Sequence, residues 1–257
     1  MQDPYLNTLC FSATGTTLRC VETVADAIGL SVGRTLNLAD RTRPESITCN
    51  DNDVVLVGAP VYGGRIPPVF AGKLKKLQGN GARTIAMVVY GNRDYDDALL
   101  ELTDILRENG FLVVAAGAFI AQHSIFPKAG MARPDRKDLD KLIEFGRLCR
   151  GAIARTDIPD LLIKGHRPYK KYGGVPLHPL GNQDRCKRCG ICSDLCPVNA
   201  IDKETPCATN AGSCISCGRC IVSCPFGARQ YRGLKYKLID KIFTAVFAKR
   251  KEPEFFA

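Results

Sequence analysis

The chain carries the stretch Cys186-x-x-Cys189-x-x-Cys192-x-x-x-Cys196-Pro197, and it repeats this spacing at Cys214-x-x-Cys217-x-x-Cys220-x-x-x-Cys224-Pro225. Three cysteines at two-residue gaps, followed by a fourth before a proline, have the ligand spacing of cubane 4Fe–4S clusters. Three thiolates of each run bind one cluster, and the fourth cysteine, at the start of a helix, reaches the other cluster. The two runs therefore predict two 4Fe–4S clusters.

Crossed ligation predicts which cysteines share a cluster. The predicted ligands of the first cluster are Cys186, Cys189, Cys192 and Cys224. Those of the second cluster are Cys214, Cys217, Cys220 and Cys196. A zinc site is a weaker interpretation, because zinc sites typically pair two Cys-x-x-Cys units and each run here adds a third cysteine and a Cys-Pro. Disulfides are weaker as well, because eight thiols are crowded into two tight loops.

Residues 182–231, which hold both runs, resemble the bacterial two-cluster ferredoxins. The resemblance implies a small α+β ferredoxin-like domain over this range. Cys207 lies between the runs without a motif partner, and we interpret it as structural or solvent-facing. Eight of the thirteen cysteines are thus predicted ligands and the others are scattered. This usage is typical of a reducing compartment and predicts a cytoplasmic protein.

The length and charge of the chain limit its possible functions. With 257 residues and a formal net charge of +10, the chain is long enough for two domains. Residues 157–257 hold 17 Lys and Arg against 9 Asp and Glu. A basic protein suggests nucleic-acid binding, but two oxidised clusters with their thiolates would cancel about 4 positive charges, so no nucleic-acid partner is predicted. No run of eighteen apolar residues and no secretory signal is present, so neither a transmembrane helix nor secretion is expected.

The first 156 residues alternate between predicted strands and helices. The predicted strands are Tyr5–Phe11, Thr35–Asn37, Asp53–Gly58, Thr84–Tyr90 and Phe111–Phe119. Helical spacing of apolar residues separates them, and a last helix runs from about Lys137 to Thr156. This alternation predicts a doubly wound α/β fold with a parallel five-stranded sheet in the order 2-1-3-4-5. In that order the loops after strands 1 and 3 flank the switch point, where FMN binds.

A hydroxyl-rich loop, Ser12-Ala13-Thr14-Gly15-Thr16-Thr17, joins the first strand to the first helix. Backbone N–H groups at a helix N-terminus, together with Ser and Thr hydroxyls, can hold a phosphate. Gly15 permits a close approach of the backbone. No lysine is present as in a Walker loop, so a nucleoside triphosphate is not favoured. The loop therefore predicts a phosphate site.

Three loops of this half look like those of flavodoxins. Ser12–Thr17 matches the pattern Ser/Thr-x-Thr-Gly-x-Thr, Tyr62-Gly63 matches an aromatic followed by Gly, and Gly91 is followed four residues later by Tyr95. The resemblance covers residues 4–156, and it implies that Tyr62 and Tyr95 sandwich the isoalloxazine ring of FMN. The residues implied to bind FMN are Ser12, Ala13, Thr14, Gly15, Thr16, Thr17, Pro60, Val61, Tyr62, Gly63, Gly64, Arg65, Gly91, Asn92, Arg93 and Tyr95.

Two arginines depart from the flavodoxin pattern, which usually places acidic residues beside the flavin. Positive charge at Arg65 and Arg93 would stabilise the reduced, anionic ring and raise its potential. Alternatively, both side chains point to solvent or pair with Asp94. His123, in a polar insertion after the last strand, is a candidate proton donor to a substrate or to the flavin. A structural hydrogen bond made by a loop histidine is the favoured alternative.

The whole chain is similar to two-domain ferredoxins with a flavodoxin-like N-terminal half. We expect an FMN-binding domain over residues 1–156, a linker over 157–181, the two-cluster domain over 182–231, and an amphipathic helix and tail over 232–257. That helix has an apolar face ringed by lysines. We expect this face to pack on the body of the protein, and contact with an anionic membrane surface is the alternative.

An FMN and two cubane clusters in one chain have one economical joint use, which is electron transfer. The sequence predicts an intracellular carrier that accepts electrons from a low-potential donor protein and passes them to an acceptor, with no catalytic acid or base. The alternative is an FMN-dependent reductase of a small molecule, in which His123 and Arg93 handle the proton and the substrate. A third hypothesis, a cluster-based sensor with an empty flavin pocket, would be recognised by the lack of flavin absorbance.

Overall fold

The structure, a computed structural model, describes residues 4–41, 47–158, 160–174 and 176–257. Its strands are β1 (Leu6–Cys10), β2 (Val32–Asn37), β3 (Val54–Pro60), β4 (Arg83–Tyr90), β5 (Leu112–Ile120), β6 (Leu180–Gly181), β7 (Arg229–Gln230) and β8 (Glu254–Phe256). Its helices are α1 (Thr16–Ile28), α2 (Pro68–Leu74), α3 (Ala98–Glu108), α4 (Arg136–Ile153), α5 (Ile191–Asp194), α6 (Arg219–Val222) and α7 (Leu234–Val246).

The large sheet has the order β2-β1-β3-β4-β5-β8. Its first five strands are parallel, and this part confirms the predicted doubly wound order. The sixth strand corrects the predicted count of five: β8, at the C-terminal end of the chain, pairs antiparallel with β5. A strand of three residues is too short to show an alternating pattern, so only the pairing with β5 defines it.

Both faces of the sheet are covered, as a parallel sheet requires. All seven residues of β3 are buried. Helices α1 and α4 cover one face through side chains such as Val24 and Phe145, and α2 and α3 cover the other. Gly146 lets α1 and α4 pack closely, because a Cβ at this position would meet the Ala27 Cβ at 2.5 Å. Helices thus cover both faces of the sheet, and the loops at the ends of its strands remain available to form a binding site.

The cysteine-rich part folds as an internal repeat. The short helices α5 and α6 each begin after a glycine in the left-handed region, Gly190 with φ 78° and Gly218 with φ 76°. The two-stranded sheet of β6 and β7 ties the ends of this part together. Buried Arg229 bonds inside it, donating to the carbonyls of Pro206 at 2.7 Å and Pro179 at 2.8 Å.

Residues 166–170, inside the predicted linker 157–181, pack along α3. Asp104 accepts hydrogen bonds from Arg167 at 2.6 and 2.7 Å and from the Tyr169 hydroxyl at 2.5 Å. Asp97 accepts the backbone N–H of Lys170 at 2.7 Å and that of His166 at 2.9 Å. The segment is therefore attached to the α/β part by charge-assisted hydrogen bonds.

Helix α7 packs its inner face on the loop after β5, as the sequence predicts. Phe243 contacts the rings of Phe126, at 4.6 Å between centroids, and His123, at 4.7 Å. The chain then returns to the large sheet as β8. Within the described residues, no helix combines the length and the apolar character needed to cross a bilayer.

We predict that Phe255→Ala lowers the free energy of unfolding by about 2 kcal/mol, because this half-buried ring anchors β8. The Phe255 ring lies 5.5 Å from that of Phe145 and stacks on that of Phe119 at 6.3 Å. Urea unfolding followed by circular dichroism measures the loss. Leu148→Ala, on the outer side of α4, is the matched control and should change stability by less than about 0.5 kcal/mol. Equal effects of the two substitutions would contradict the docking of β8.

Candidate functional site

A cavity opens where β1, β3, β4 and β5 end. Four loops of the α/β part line it, and the fifth contribution comes from the cysteine-rich part. The lining residues are Ala13, Thr14, Thr16, Thr17, Pro60, Val61, Tyr62, Gly63, Val89, Tyr90, Gly91, Ala121, Gln122, His123, Ser124, Ile125, Ile215 and Ser216. The site therefore combines the carboxyl edge of the sheet with the loop of the second cysteine run.

Hydrogen bonds made by Ser12 hold the loop Ser12–Thr17 in place. Ser12 Oγ accepts the backbone N–H of Leu18 at 3.0 Å, and Ser12 N–H donates to Asn37 Oδ1 at 2.9 Å. Gly15, with φ 88°, is the N-cap residue of α1 and makes no side-chain cap hydrogen bond. The first turn of α1 thus opens toward the cavity beside the hydroxyls of Thr14 and Thr16, an arrangement that fits a phosphate. The sequence prediction missed Asn37, whose signal was a polar residue ending a strand beside this loop.

The second loop is a tight turn that closes on itself. Tyr62 and Arg65 exchange backbone hydrogen bonds of 2.9 and 3.3 Å. Gly63 and Gly64 have positive φ values of 65° and 89°. A Cβ on Gly64 would meet the carboxylate of Asp96 at 2.0 Å. The second and third loops are therefore packed against each other, and Tyr62 and Gly63 are left facing the cavity.

Arg65 does not face the cavity. Its guanidinium makes a bidentate pair with Glu101, with both N–O distances 2.7 Å, and lies 4.7 Å from the centre of the Tyr169 ring. The predicted effect of Arg65 on a bound flavin therefore has no structural basis, because its charge is neutralised on α3. Arg93 forms an ion pair with Asp96, and not with Asp94 as the alternative interpretation had it.

Tyr95 and Asn92 also lie outside the cavity, which corrects the expected pair of stacking tyrosines. Tyr95 is only 1% exposed, its ring lies 5.6 Å from that of Tyr90, and its hydroxyl donates to Glu254 Oε2 at 2.7 Å. Asn92 is buried and donates to the carbonyls of the C-terminal segment that precedes β8. Tyr90 and Gly91 line the cavity from this loop. The third loop thus serves mainly to hold the tail.

His123 is part of the cavity wall. Its Nδ1 accepts the backbone N–H groups of Ile125 at 3.1 Å and Phe126 at 3.2 Å. Burial, and then the charge of Arg93, lower the pKa of His123 to about 4. The neutral ring with Nδ1 as acceptor carries its proton on Nε2. His123 therefore makes the predicted structural hydrogen bonds, and at neutral pH it can donate a hydrogen bond but is not an imidazolium acid. Gly91 is required next to it, because a Cβ there would meet the ring at 2.5 Å.

The second set of predicted cluster ligands surrounds one enclosed cavity. Cys214, Cys217 and Cys220 line it together with Cys196 from the first run. Burial raises the pKa of Cys217 to about 12 and that of Cys220 to about 11. Such cysteines become thiolates only when a cation compensates the buried charge. The residues thus fit an iron–sulfur cluster that is held by crossed ligation.

The first set has the same local construction. The backbone N–H of Ala228 donates to Cys224 Sγ at 3.3 Å, as that of Ala200 donates to Cys196 Sγ at 3.2 Å. Cys189 is exposed. Burial and the neighbouring Cys186 raise the pKa of Cys207, which has no motif partner. Among the described residues, no group of three or more His, Cys, Asp or Glu side chains could together hold a single metal ion. A cubane cluster does not require such a group, because each cysteine binds its own iron.

The second cluster cavity and the loop cavity share a wall. Ile215 lines both of them. A Cβ on Gly218 would lie 3.6 Å from Thr14 Cγ2. The next residue, Arg219, forms an ion pair with Asp40, which follows β2 in the chain. Cys217 belongs to the same buried core as Tyr62 and its neighbours. The two predicted cofactor sites are thus in direct contact.

We predict that Cys196→Ala removes the cluster of the second run and leaves the first cluster bound. The reason is that Cys196 shares a cavity with Cys214, Cys217 and Cys220. Iron content and electron spin resonance of the reduced protein measure the result. Cys149→Ala, a buried cysteine in the core between α1 and α4, is the control and should keep full iron content. Loss of the first cluster alone in Cys196→Ala would contradict crossed ligation.

We predict that burial of His123 makes the protein less stable at pH values below the pKa of an unfolded histidine. The unfolded histidine binds a proton near pH 6.5, whereas the folded one does so near pH 4. Stability is therefore unaffected above pH 7 and falls as pH decreases from 6.5 toward 4, by about 2 kcal/mol between pH 7 and 5. Urea unfolding at the two pH values measures this change. His123→Asn keeps an acceptor near Nδ1 and should lose this part of the pH dependence; an identical slope in both proteins would refute the assignment.

Models of known protein families match both parts of the chain. Residues 9–96 match the family model of a flavodoxin domain, and residues 180–202 and 208–230 match that of a 4Fe-4S binding domain. The chain is 40% identical over 57 residues to an uncharacterized ferredoxin of Methanocaldococcus jannaschii, an alignment that spans 21% of this chain and 34% of that protein. A second ferredoxin of that organism is 33% identical over 69 residues, which span 26% and 41%.

Solved flavodoxins superpose on part of the chain. A flavodoxin from the domain Archaea has a TM-score of 0.38 at 15% identity and covers 59% of this chain and 99% of its own. A flavodoxin of Streptococcus pneumonia has a TM-score of 0.38 at 18% identity and covers 58% and 97%. The fold assignment itself comes from the strand order and the family match. The chain joins an N-terminal flavodoxin domain to two C-terminal 4Fe-4S binding motifs.

Proposed function

We propose that the protein transfers electrons between a redox partner, two 4Fe–4S clusters and an FMN. The shared wall at Ile215 carries this proposal, since it brings the ligands of one cluster next to the cavity of the flavodoxin domain. Cubane clusters exchange single electrons, and a flavin can exchange one or two. The chain's own residues bind these groups, orient them and shield them from water.

The cavity residues divide into two groups for holding FMN. The first turn of α1 and the hydroxyls of Thr14, Thr16 and Thr17 would hold the phosphate, where the helix N-terminus favours negative charge. Tyr62, Gly63, Tyr90 and Gly91 would contact the ring, and His123 Nε2–H is a neutral donor in the same wall. Gly63 has a positive φ of 65°, a conformation that favours glycine, so this turn presents no side chain to the cavity.

The two predicted cluster sites differ in their exposure to solvent. From this difference we infer their order in the electron-transfer route. Cys217 of the second site is buried in the flavodoxin core. Cys189 of the first site is exposed beside the exposed cations Arg185, Lys187 and Arg188. An exposed cluster edge with positive charge suits a negatively charged partner protein, because complementary potentials speed encounter. We therefore assign the first site to exchange with an acidic redox protein and the second to exchange with the flavin.

A reductase acting on a small molecule is the second candidate, and the position of His123 in the cavity wall supports it. With a pKa near 4, His123 would orient a substrate by a hydrogen bond and would not supply the proton as an imidazolium. Arg93, which pairs with Asp96, does not line the cavity. The two candidates differ in what accepts electrons: a protein in the first case, a compound bound beside the flavin in the second.

We expect Cys217→Ala, which removes a ligand of the second cluster, to bind FMN but to accept electrons on it slowly. A reduced low-potential ferredoxin serves as the one-electron donor, and stopped-flow absorbance follows bleaching of the flavin. Flavin reduction should be at least about tenfold slower than in the wild type, because a missing cluster leaves a long gap between donor and ring. Cys149→Ala, outside the two cysteine runs, is the matched control with both clusters. Equal rates in wild type and Cys217→Ala would overturn the proposed order of sites.

A further inference from the structure

Helix α7 is apolar on two sides. Its inner face, with Tyr236, Ile239 and Phe243, packs on the loop after β5. On its outer face four large apolar side chains are exposed: Leu234 by 85%, Leu238 by 61%, Ile242 by 55% and Val246 by 65%. The spacing of four residues places them in one row along the helix. The inner face accounts for the packing that the sequence predicts, and the outer row needs a separate explanation.

The charges around this row are almost all positive. Lys235, Lys237 and Lys241 are exposed on α7, and Lys249 and Lys251 follow it. Asp240 is the one acidic residue between positions 234 and 251, and its Oδ1 is buried. An apolar row flanked by lysines is complementary to a surface that is apolar inside and negative at its edge.

This charge pattern discriminates between possible occupants of the row. A second copy of the chain, docked by two-fold symmetry, would bring the same lysines against each other, which is unfavourable. A helix with lysines beside exposed Leu, Ile and Val is instead suited to lie in the plane of an anionic bilayer, with its apolar side at the boundary of headgroups and acyl chains.

We propose that α7 docks the protein on an anionic lipid bilayer. Leu234, Leu238, Ile242 and Val246 enter the boundary between headgroups and acyl chains, and the three lysines contact lipid phosphates or carboxylates. The inner face of α7 stays packed on the protein, so docking needs no unfolding of the helix. This proposal rests on α7 alone and does not depend on the proposed electron transfer.

The experiment uses the holoprotein and vesicles of phosphatidylcholine alone or with one quarter phosphatidylglycerol. Because the chain contains no tryptophan, Leu238→Trp places a single tryptophan in the row, whose emission can be excited selectively at about 295 nm or above. Its emission should shift to the blue with the anionic vesicles and not with phosphatidylcholine alone. Leu162→Trp is the matched control, at a side chain that is 86% exposed elsewhere on the surface, and its emission should not shift.

Sedimentation with the same vesicles measures affinity. The triple substitution of Lys235, Lys237 and Lys241 by Gln should weaken vesicle binding about a hundredfold. Each lysine near an anionic surface contributes about a factor of five to the affinity. Leu238→Glu with Ile242→Glu should abolish binding, and circular dichroism checks that the fold is kept. Absence of a blue shift together with absence of sedimentation of the wild type would overturn the proposal. A concentration-dependent dimer that Leu238→Glu dissociates, without vesicle binding, would assign the row to a second copy instead.

Discussion

The contact between the second cysteine run and the loops of the sheet is the interaction on which the rest of this structure depends. Ile215 lines both the cavity at the carboxyl edge of the sheet and the cavity around Cys214, Cys217 and Cys220. Cys217 is part of the core of the flavodoxin domain. Because this cysteine of the second run is buried in the core of the α/β part, apolar burial ties the cysteine-rich part to the flavodoxin domain, and such burial has no direction of its own. Direction comes from the Arg219–Asp40 ion pair, which places the loop on the side of the phosphate-binding turn.

A second constraint is a buried polar network that holds the third loop and the tail. Arg133 makes a bidentate pair with Asp138, at 2.5 and 2.9 Å, and donates to Asn92 Oδ1 at 3.0 Å. Arg250 from the tail also binds Asp138, at 2.9 Å. Removing one partner from such a buried network leaves an uncompensated charge, which typically costs about 3–5 kcal/mol. The network therefore explains why Asn92 serves the tail and not the cavity.

Charge is distributed in this protein according to three different needs. Arginines near the sheet are neutralised by acids, as Arg65 is by Glu101. Cations around the exposed Cys189 stay on the surface, where they would complement the negative charge of the proposed cluster and of the proposed acidic partner. The lysines of α7 border apolar side chains and suit an anionic bilayer. The net charge of +10 is thus the sum of several separate surfaces.

The sequence by itself determined the strand order of the α/β part, and it predicted the cluster ligands and the phosphate loop. Each of these is a local pattern, in which a few neighbouring residues carry the whole signal: cysteines at two-residue gaps, or hydroxyls between a strand and a helix. Only the tertiary structure decided which loop residues face the cavity. Tyr95 was expected to stack on the flavin, but Glu254, 159 residues away, holds its hydroxyl in the core. Arg65 is turned away by Glu101 in the same manner. Such pairs join positions far apart in the chain, and nothing in the local sequence of either partner reveals the other.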